Sequence, residues 1–234
     1  MVHKIAHEKN KDIFTGWAQN DMTEFLQFIT DCFHTSISRP RLAEKEYSEI
    51  TELFYGTYSS KIMSIENGDT HTTNNETFFV LDLPIPENIP EPTLYDCFRK
   101  FTEKEILGED NKWYNEKTGL HENIMKQYDF IKFPHILVIM LKRFRHDTIN
   151  KNGVLVNFPF EMDLGEFCGA TAQYSLYGVC NHFGNALFGH YTSFVKTATN
   201  EWIHFNDETL EKIAPQGVVT TAAYCLFYRR AGVI

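Results

Sequence analysis

The sequence predicts an α+β domain in which a helical lobe rests against a sheet lobe. Three observations carry this. Two apolar patterns of helical period lie within the first 107 residues, a continuous aliphatic run follows, and four short aromatic-rich segments succeed one another after residue 172.

From Asp21 to His34 the residues Met22, Phe25, Leu26, Ile29, Cys32 and Phe33 recur at spacings of three and four, as in a helix with one buried face. Thr15 or Asn20 is the expected cap. The polar stretch SSKIMSIENGDTHTTNNE then separates this helix from TFFVLDLPIP, a strand ended by its prolines. Leu94 to Leu107 carries a second helical pattern, with Leu94, Cys97, Phe98, Phe101 and Ile106 as its inner face. HILVIMLKRF reads as a strand covered on both faces. QYSLYGVCNH, HYTSFVK, EWIHFND and AAYCLFYRR are short, rich in aromatic or β-branched residues and separated by Gly, Asn or Thr turn signals, so they are expected to pair antiparallel. There is no internal repeat and no low-complexity tract.

With 234 residues, 43% of them hydrophobic and 15% aromatic, the chain can bury a sizeable core. Its 31 acidic and 22 basic residues give a net charge of -9, which excludes phosphate backbones and anionic lipid and favours a basic peptide or protein surface. The opening MVHKIAHEKNK has no apolar signal core, and the longest aliphatic run, Ile136 to Leu141, falls far short of the roughly 20 residues that span a bilayer. Neither nucleic acid nor a membrane is an expected partner. Five scattered cysteines (Cys32, Cys97, Cys168, Cys180 and Cys225) fit free thiols in a reducing compartment, so an intracellular location, cytoplasmic or nuclear, is expected.

His190 stands sixteen positions before Asn206. A hairpin turning at TATNE would bring its imidazole beside the Asn206 carboxamide or the Asp207 carboxylate. A thiol hydrolase needs such a pair, because an imidazole must take the thiol proton while a second group fixes its tautomer. Spacing alone leaves a purely structural histidine open, since ten histidines supply such pairs by chance. Asp21 and Glu24, three apart at a helix start, share a face that can accept hydrogen bonds from guanidinium groups, or they merely favour the helix dipole.

CNHFGNALFGHYTSFV followed by EWIHFNDETLEKI resembles the histidine box of the ubiquitin-specific proteases, which are papain-like cysteine deubiquitinases. FPHILVIMLKRF and VNFPFEMDL resemble that family's central palm strand and the segment after it, QNDMTEFLQFITDCFH its Gln-Gln-Asp box, and ETFFVLDLPIP the strand leading into the palm. The matches occur in family order from Gln19 to Arg230. The resemblance implies one domain over 1–234: a partial, truncated helical thumb over about 1–45, fingers over about 50–80 and 105–130, and a palm over most of the rest. It implies His190 as general base, Asn206 as its orienting partner and Asp207 as an assisting neighbour. It also implies that Gln19, Asp21, Glu24, Gly189 and Tyr191 meet the arginine-containing tail of ubiquitin, with Gly184 and Gly189 in a loop lying over that tail. The implied partners are ubiquitin or ubiquitinated proteins. The implied reaction, without a cofactor, is hydrolysis of the peptide or isopeptide bond after ubiquitin's C-terminal glycine.

Two departures qualify this. Where many members hold a zinc ion with two CxxC pairs, this sequence has Ser64 and Asn67, then Asn115 and Thr118, so no structural metal is expected. His3 and His7, four apart, are better read as a frayed terminus than as metal ligands. The family's nucleophile stands in a Gly-Asn-Thr-Cys box ahead of the Gln-Gln-Asp box, but the eighteen residues before Gln19 contain no cysteine. None of the five cysteines replaces it, because most lie in apolar segments where burial makes a thiol inert. Little or no turnover is therefore expected from this chain alone. A separate segment supplying the cysteine box is one reading, and the persistent apolar face of the Asp21 to His34 helix points to it. The alternative is a pseudo-protease that acts as a ubiquitin-binding or scaffold module.

Overall fold

The computed structural model describes residues 2–8, 14, 19–40, 46–66, 68–108, 112–144 and 149–232. In chain order these form α1 (Val2–Glu8), α2 (Met22–Ile37), β1 (Arg39–Pro40), β2 (Glu46–Tyr47), α3 (Glu49–Phe54), β3 (Gly56–Ser64), β4 (Thr70–Phe78), β5 (Val80–Pro84), α4 (Leu94–Thr102), β6 (Glu105–Leu107), β7 (Trp113–Asn115) and β8 (Leu120–Glu122). There follow β9 (Ile124–Lys132), β10 (Ile136–Lys142), β11 (Glu161–Asp163), α5 (Gly165–Cys168), β12 (Gln173–Gly184), β13 (Gly189–Lys196), β14 (Trp202–Asn206), β15 (Thr209–Ile213) and β16 (Ala223–Arg230).

The larger sheet runs β15-β14-β13-β12-β16-β10-β5, with β11 added beside β12. Among the described strands of this sheet, only β10 and β5 pair in parallel. The aliphatic run, β10, lies between β16 and the edge strand β5 and is covered on both faces as expected: Leu137, Ile139 and Leu141 are wholly buried on one face and Val138 on the other. The four late segments pair antiparallel as expected. A second sheet, β4-β3-β9-β6, and the small β7-β8 hairpin project from it in sequence.

Four expectations need correction. The polar stretch after α3 is no spacer: it folds into the long β3–β4 hairpin, paired from Gly56↔Phe78 onwards. Its outer strand β4 is mostly exposed, and β3 buries polar Ser59 and Ser60, so no apolar alternation marks it. TFFVLDLPIP is split by a bend at Phe79 into β4 and β5. The second helix ends at Thr102, whose hydroxyl turns back to the Phe98 and Arg99 carbonyls. Ile106 therefore leaves the inner face and stands 68% exposed on β6. Finally, α2 is capped not by Asn20 but by Asp21, whose Oδ1 accepts the Thr23 and Glu24 amides at 2.8 and 3.3 Å. Thr15 lies outside the described residues.

Helix α2 divides its apolar face. Met22 and Leu26 pack on the sheet beside Val138, Cys180 and Tyr224, and Phe28 packs on Ala6 and Phe14. Phe33 and Ile37 remain exposed. No helix among the described residues is long and apolar enough to cross a membrane.

Candidate active site

The site is built around the β13–β14 hairpin. Its turn is closed by the Thr197 amide on the Glu201 carbonyl, 2.8 Å, and by Asn200 in the left-handed region at φ 61°. From that turn the rungs run Lys196↔Trp202 to Ser193↔Phe205. Beyond the last rung the side chains of His190 and Asn206 meet, Nε2 to Oδ1, at 2.7 Å. An amide oxygen only accepts, so Nε2 carries the proton and Nδ1 keeps its lone pair. The Asp207 carboxylate lies 4.0 Å from the same Nε2 but is largely in solvent. Asp207 itself, at φ 49°, starts the turn into β15, a strand not anticipated from sequence.

His190 opens onto a cleft of about 520 Å³. Among its walls are Gln19, Asp21, His182, Gly189, Tyr191 and Tyr224. Glu24 is exposed and does not line it. The Gln19 side chain bonds the Gly189 backbone twice, accepting from the amide at 3.0 Å and donating to the carbonyl at 3.2 Å. Asp21 Oδ2 accepts the Tyr191 and Tyr224 hydroxyls at 3.4 and 3.2 Å. Burial, and after it the Asp21 charge, raises both tyrosine pKa values well above the ordinary one. Both Asp21 oxygens are thus engaged within the chain, Oδ1 by the α2 cap and Oδ2 by the two tyrosines.

The loop ahead of His190 is preformed. Asn185 Oδ1 accepts the Leu187 and Phe188 amides at 2.8 and 3.0 Å. Gly184 sits at φ 115°, and a Cβ there would lie 2.3 Å from the Phe188 oxygen. Leu187 and Phe188 consequently point to solvent at the rim.

No cysteine is among the residues that line the cleft. Burial pushes the Cys97 and Cys180 thiols up to about 12 and the fully buried Cys225 well above its ordinary value. At the β7–β8 hairpin, Asn115 Nδ2 and Thr118 Oγ1 both donate to Glu122 Oε1, at 3.0 and 2.7 Å. The Ser64 hydroxyl accepts the Glu66 amide, and Asn67 lies outside the described residues. Among the described residues no group of three or more His, Cys, Asp or Glu could hold a metal ion. The side chains of His3 and His7 are outside them.

Sequence reasoning missed Tyr224 and gave no role to His182. The imidazole of His182 is ringed by Phe144, Tyr191 and Tyr224 at centroid distances of 5.5, 4.8 and 5.7 Å. Burial, then the nearby Lys151 ammonium, lowers its pKa against the pull of Asp21. No local pattern signals Tyr224, because Asp21 and Phe144, its partners, are far away in the chain.

The ubiquitin carboxyl-terminal hydrolase family model matches residues 1–228. Ubiquitin carboxyl-terminal hydrolase 2 of Bos taurus is 34% identical over 93% of this chain and 41% of its own length. Ubiquitin carboxyl-terminal hydrolase 5 of Saccharomyces cerevisiae is 31% identical over 93% of this chain and 33% of its own length. The chain thus spans well under half of either relative. Among solved structures, the SAGA DUB module Ubp8/Sgf11/Sus1/Sgf73 bound to monoubiquitin superposes with a TM-score of 0.81 at 28% identity, covering 99% of this chain and 53% of the matched one. The same module bound to ubiquitin aldehyde gives 0.82 at 27% identity, with the same coverage. Helices few and early, a strand-rich sheet after them and a family match from end to end lead to one conclusion: the chain belongs to the ubiquitin carboxyl-terminal hydrolase family and has its papain-like fold.

Proposed function

We propose that this chain carries the base-bearing part of a thiol-dependent hydrolase that cleaves the peptide or isopeptide bond after ubiquitin's C-terminal glycine. The single observation behind this is the 2.7 Å contact of His190 with Asn206 on the wall of an open cleft. His190 Nδ1 takes the proton of a cysteine thiol, the thiolate attacks the carbonyl carbon, and the imidazolium returns the proton to the amine as the C–N bond breaks; His190 then deprotonates a water that attacks the resulting thioester, releasing the carboxylate and the thiol. Asn206 holds the ring by accepting from Nε2 throughout, and Asp207 assists from 4.0 Å. Gln19, Asp21, Gly189 and Tyr191 form the wall along which the ubiquitin tail lies, with Glu24 outside on the rim. Ubiquitin as ligand is supported by the relatives solved with monoubiquitin and ubiquitin aldehyde. The same reading makes the β4-β3-β9-β6 sheet the fingers, the larger sheet the palm and residues 1–45 part of the thumb.

The thiol comes from outside these 234 residues, since no cysteine lines the cleft and three of the five are buried. That observation also favours a second reading, a module that holds ubiquitin without cleaving it. Calorimetry and release of amine from a ubiquitin C-terminal amide test both. Residues 1–234 are expected to bind ubiquitin with no turnover above background. The native protein carrying this chain is expected to cleave, and His190→Ala there to lower kcat by about a hundredfold to ten-thousandfold. Cleavage that survives His190→Ala would remove the assignment of the base. A native mass of 27.3 kDa with binding and no cleavage would establish the second reading.

A further inference from the structure

We infer that Gln19 and Asp21 form a two-point latch that positions His190. The inference rests on His190 being the base, and it assigns positioning roles to residues of the α2 start and to the tyrosines they hold.

The backbone pairing makes such a device necessary. On the β14 side the last rung is Ser193↔Phe205, so His190 lies three residues beyond it and has no backbone partner on that strand. On the β12 side it is held by Phe183↔His190 and Gly184↔Gly189, next to the hairpin loop. An imidazole so placed depends on something else to keep it against Asn206.

The latch closes on both of its neighbours. Gln19 uses its whole amide on the Gly189 backbone, in the manner of one more strand rung. Two residues later, Asp21 Oδ2 receives the hydroxyl of Tyr191 on β13 and that of Tyr224 on β16, on the far side of β12. Residues 189 and 191 flank His190, just as 19 and 21 flank Asn20. From behind, the His182 ring lies where a Gly189 side chain would be: a Cβ there would come within 2.0 Å of His182 Nε2. Gly189 is thus gripped between Gln19 and His182. A base displaced by about 1 Å loses on the order of a hundredfold in rate, so the latch belongs to the chemistry although it touches no reacting atom.

Nuclear magnetic resonance on the full 234-residue chain tests this without needing a thiol. In the unmodified protein the His190 Nε2-bound proton is expected to show a hydrogen-bonded signal coupled to the Asn206 side chain. Gln19→Ala should broaden or remove that signal and speed exchange of the Gly189 amide by about fivefold or more, with an unchanged thermal midpoint. Gln19→Glu keeps the acceptor but loses the donor and should fall in between. The Tyr191→Phe/Tyr224→Phe double variant, which keeps both rings, should weaken the same His190 signal. Unchanged His190 and Gly189 signals in Gln19→Ala would overturn the latch. Absence of the His190 to Asn206 bond in the unmodified chain would overturn the base reading itself, and with it the purpose of the latch.

Discussion

His182 and His190 lie across one pair of strands, yet their surroundings assign them opposite tasks. His190 keeps one nitrogen for Asn206 and the other open. His182 is 6% exposed, its Nδ1 has no partner, and its pKa is lowered by burial and by Lys151, whose Nζ donates to the His182 carbonyl. Lys151 is itself pulled down to about 8 by burial and by Arg143. The charged groups acting on the His182 ring are therefore Lys151, opposing its protonation, and Asp21, favouring it. As pH falls through about 6.5 the unfolded chain takes up a proton at this residue and the folded chain does not. The unfolded state then binds more protons, so stability drops. Urea denaturation at pH 7.5 and 5.5 should show a larger loss for the unmodified protein than for His182→Gln, and equal losses would refute this account. At this scale the sequence was legible where partners are close: His190 and Asn206 meet across one hairpin. Gln19 with Gly189, and Asp21 with Tyr224, are 170 and 203 residues apart, and no periodicity reports such pairs.

Elements with an apolar period were legible for the same physical reason, since burial writes itself into spacing. The doubly covered strand β10, the late antiparallel strands and the core of α2 could be read in this way. The β3–β4 hairpin could not. Its strand β4 is mostly exposed and β3 buries polar Ser59 and Ser60, and the neighbouring β7–β8 hairpin is tied by polar groups: Glu122 on β8 gathers Asn115 and Thr118, and its Oε2 lies 3.9 Å from His71 Nε2 on β4. His71 in turn stacks on Trp113 at 5.4 Å. These bonds occupy the place where the family resemblance puts paired cysteines. The Thr118 and Asn115 hydrogen bonds lower the Glu122 pKa, so this clasp is intact at neutral pH and loosens as pH falls through the lowered value. Glu122→Ala should speed amide exchange over 113–122 by about tenfold and leave the strands of the larger sheet unchanged, whereas a chelator should alter neither. A hairpin that opens with the chelator and not with Glu122→Ala would mean that metal holds it.

Across the whole molecule, the two larger sheets are joined through one set of rings. Phe130 near the end of β9 contacts Tyr58 on β3, Phe78 on β4, Phe98 and Phe101 on α4, and Phe133, with centroids between 4.5 and 6.5 Å. Phe133 carries the contact on to Tyr174 of β12, at 6.5 Å. The two sheets therefore share one continuous core rather than meeting at a surface. Shared burial makes the two sheets unfold as a unit, because opening either one strips the other of its aromatic partners. Phe130 is 6% exposed, and deleting its ring leaves a cavity bounded by both sheets. Phe130→Ala should lower the unfolding free energy by about 3–5 kcal/mol. If the sheets are one cooperative body, the urea transition should stay single and keep its slope, with only the midpoint moving. If the β4-β3-β9-β6 sheet instead folds on its own, the variant should melt in two steps or with a reduced slope, and the ring cluster would then be a contact between two domains.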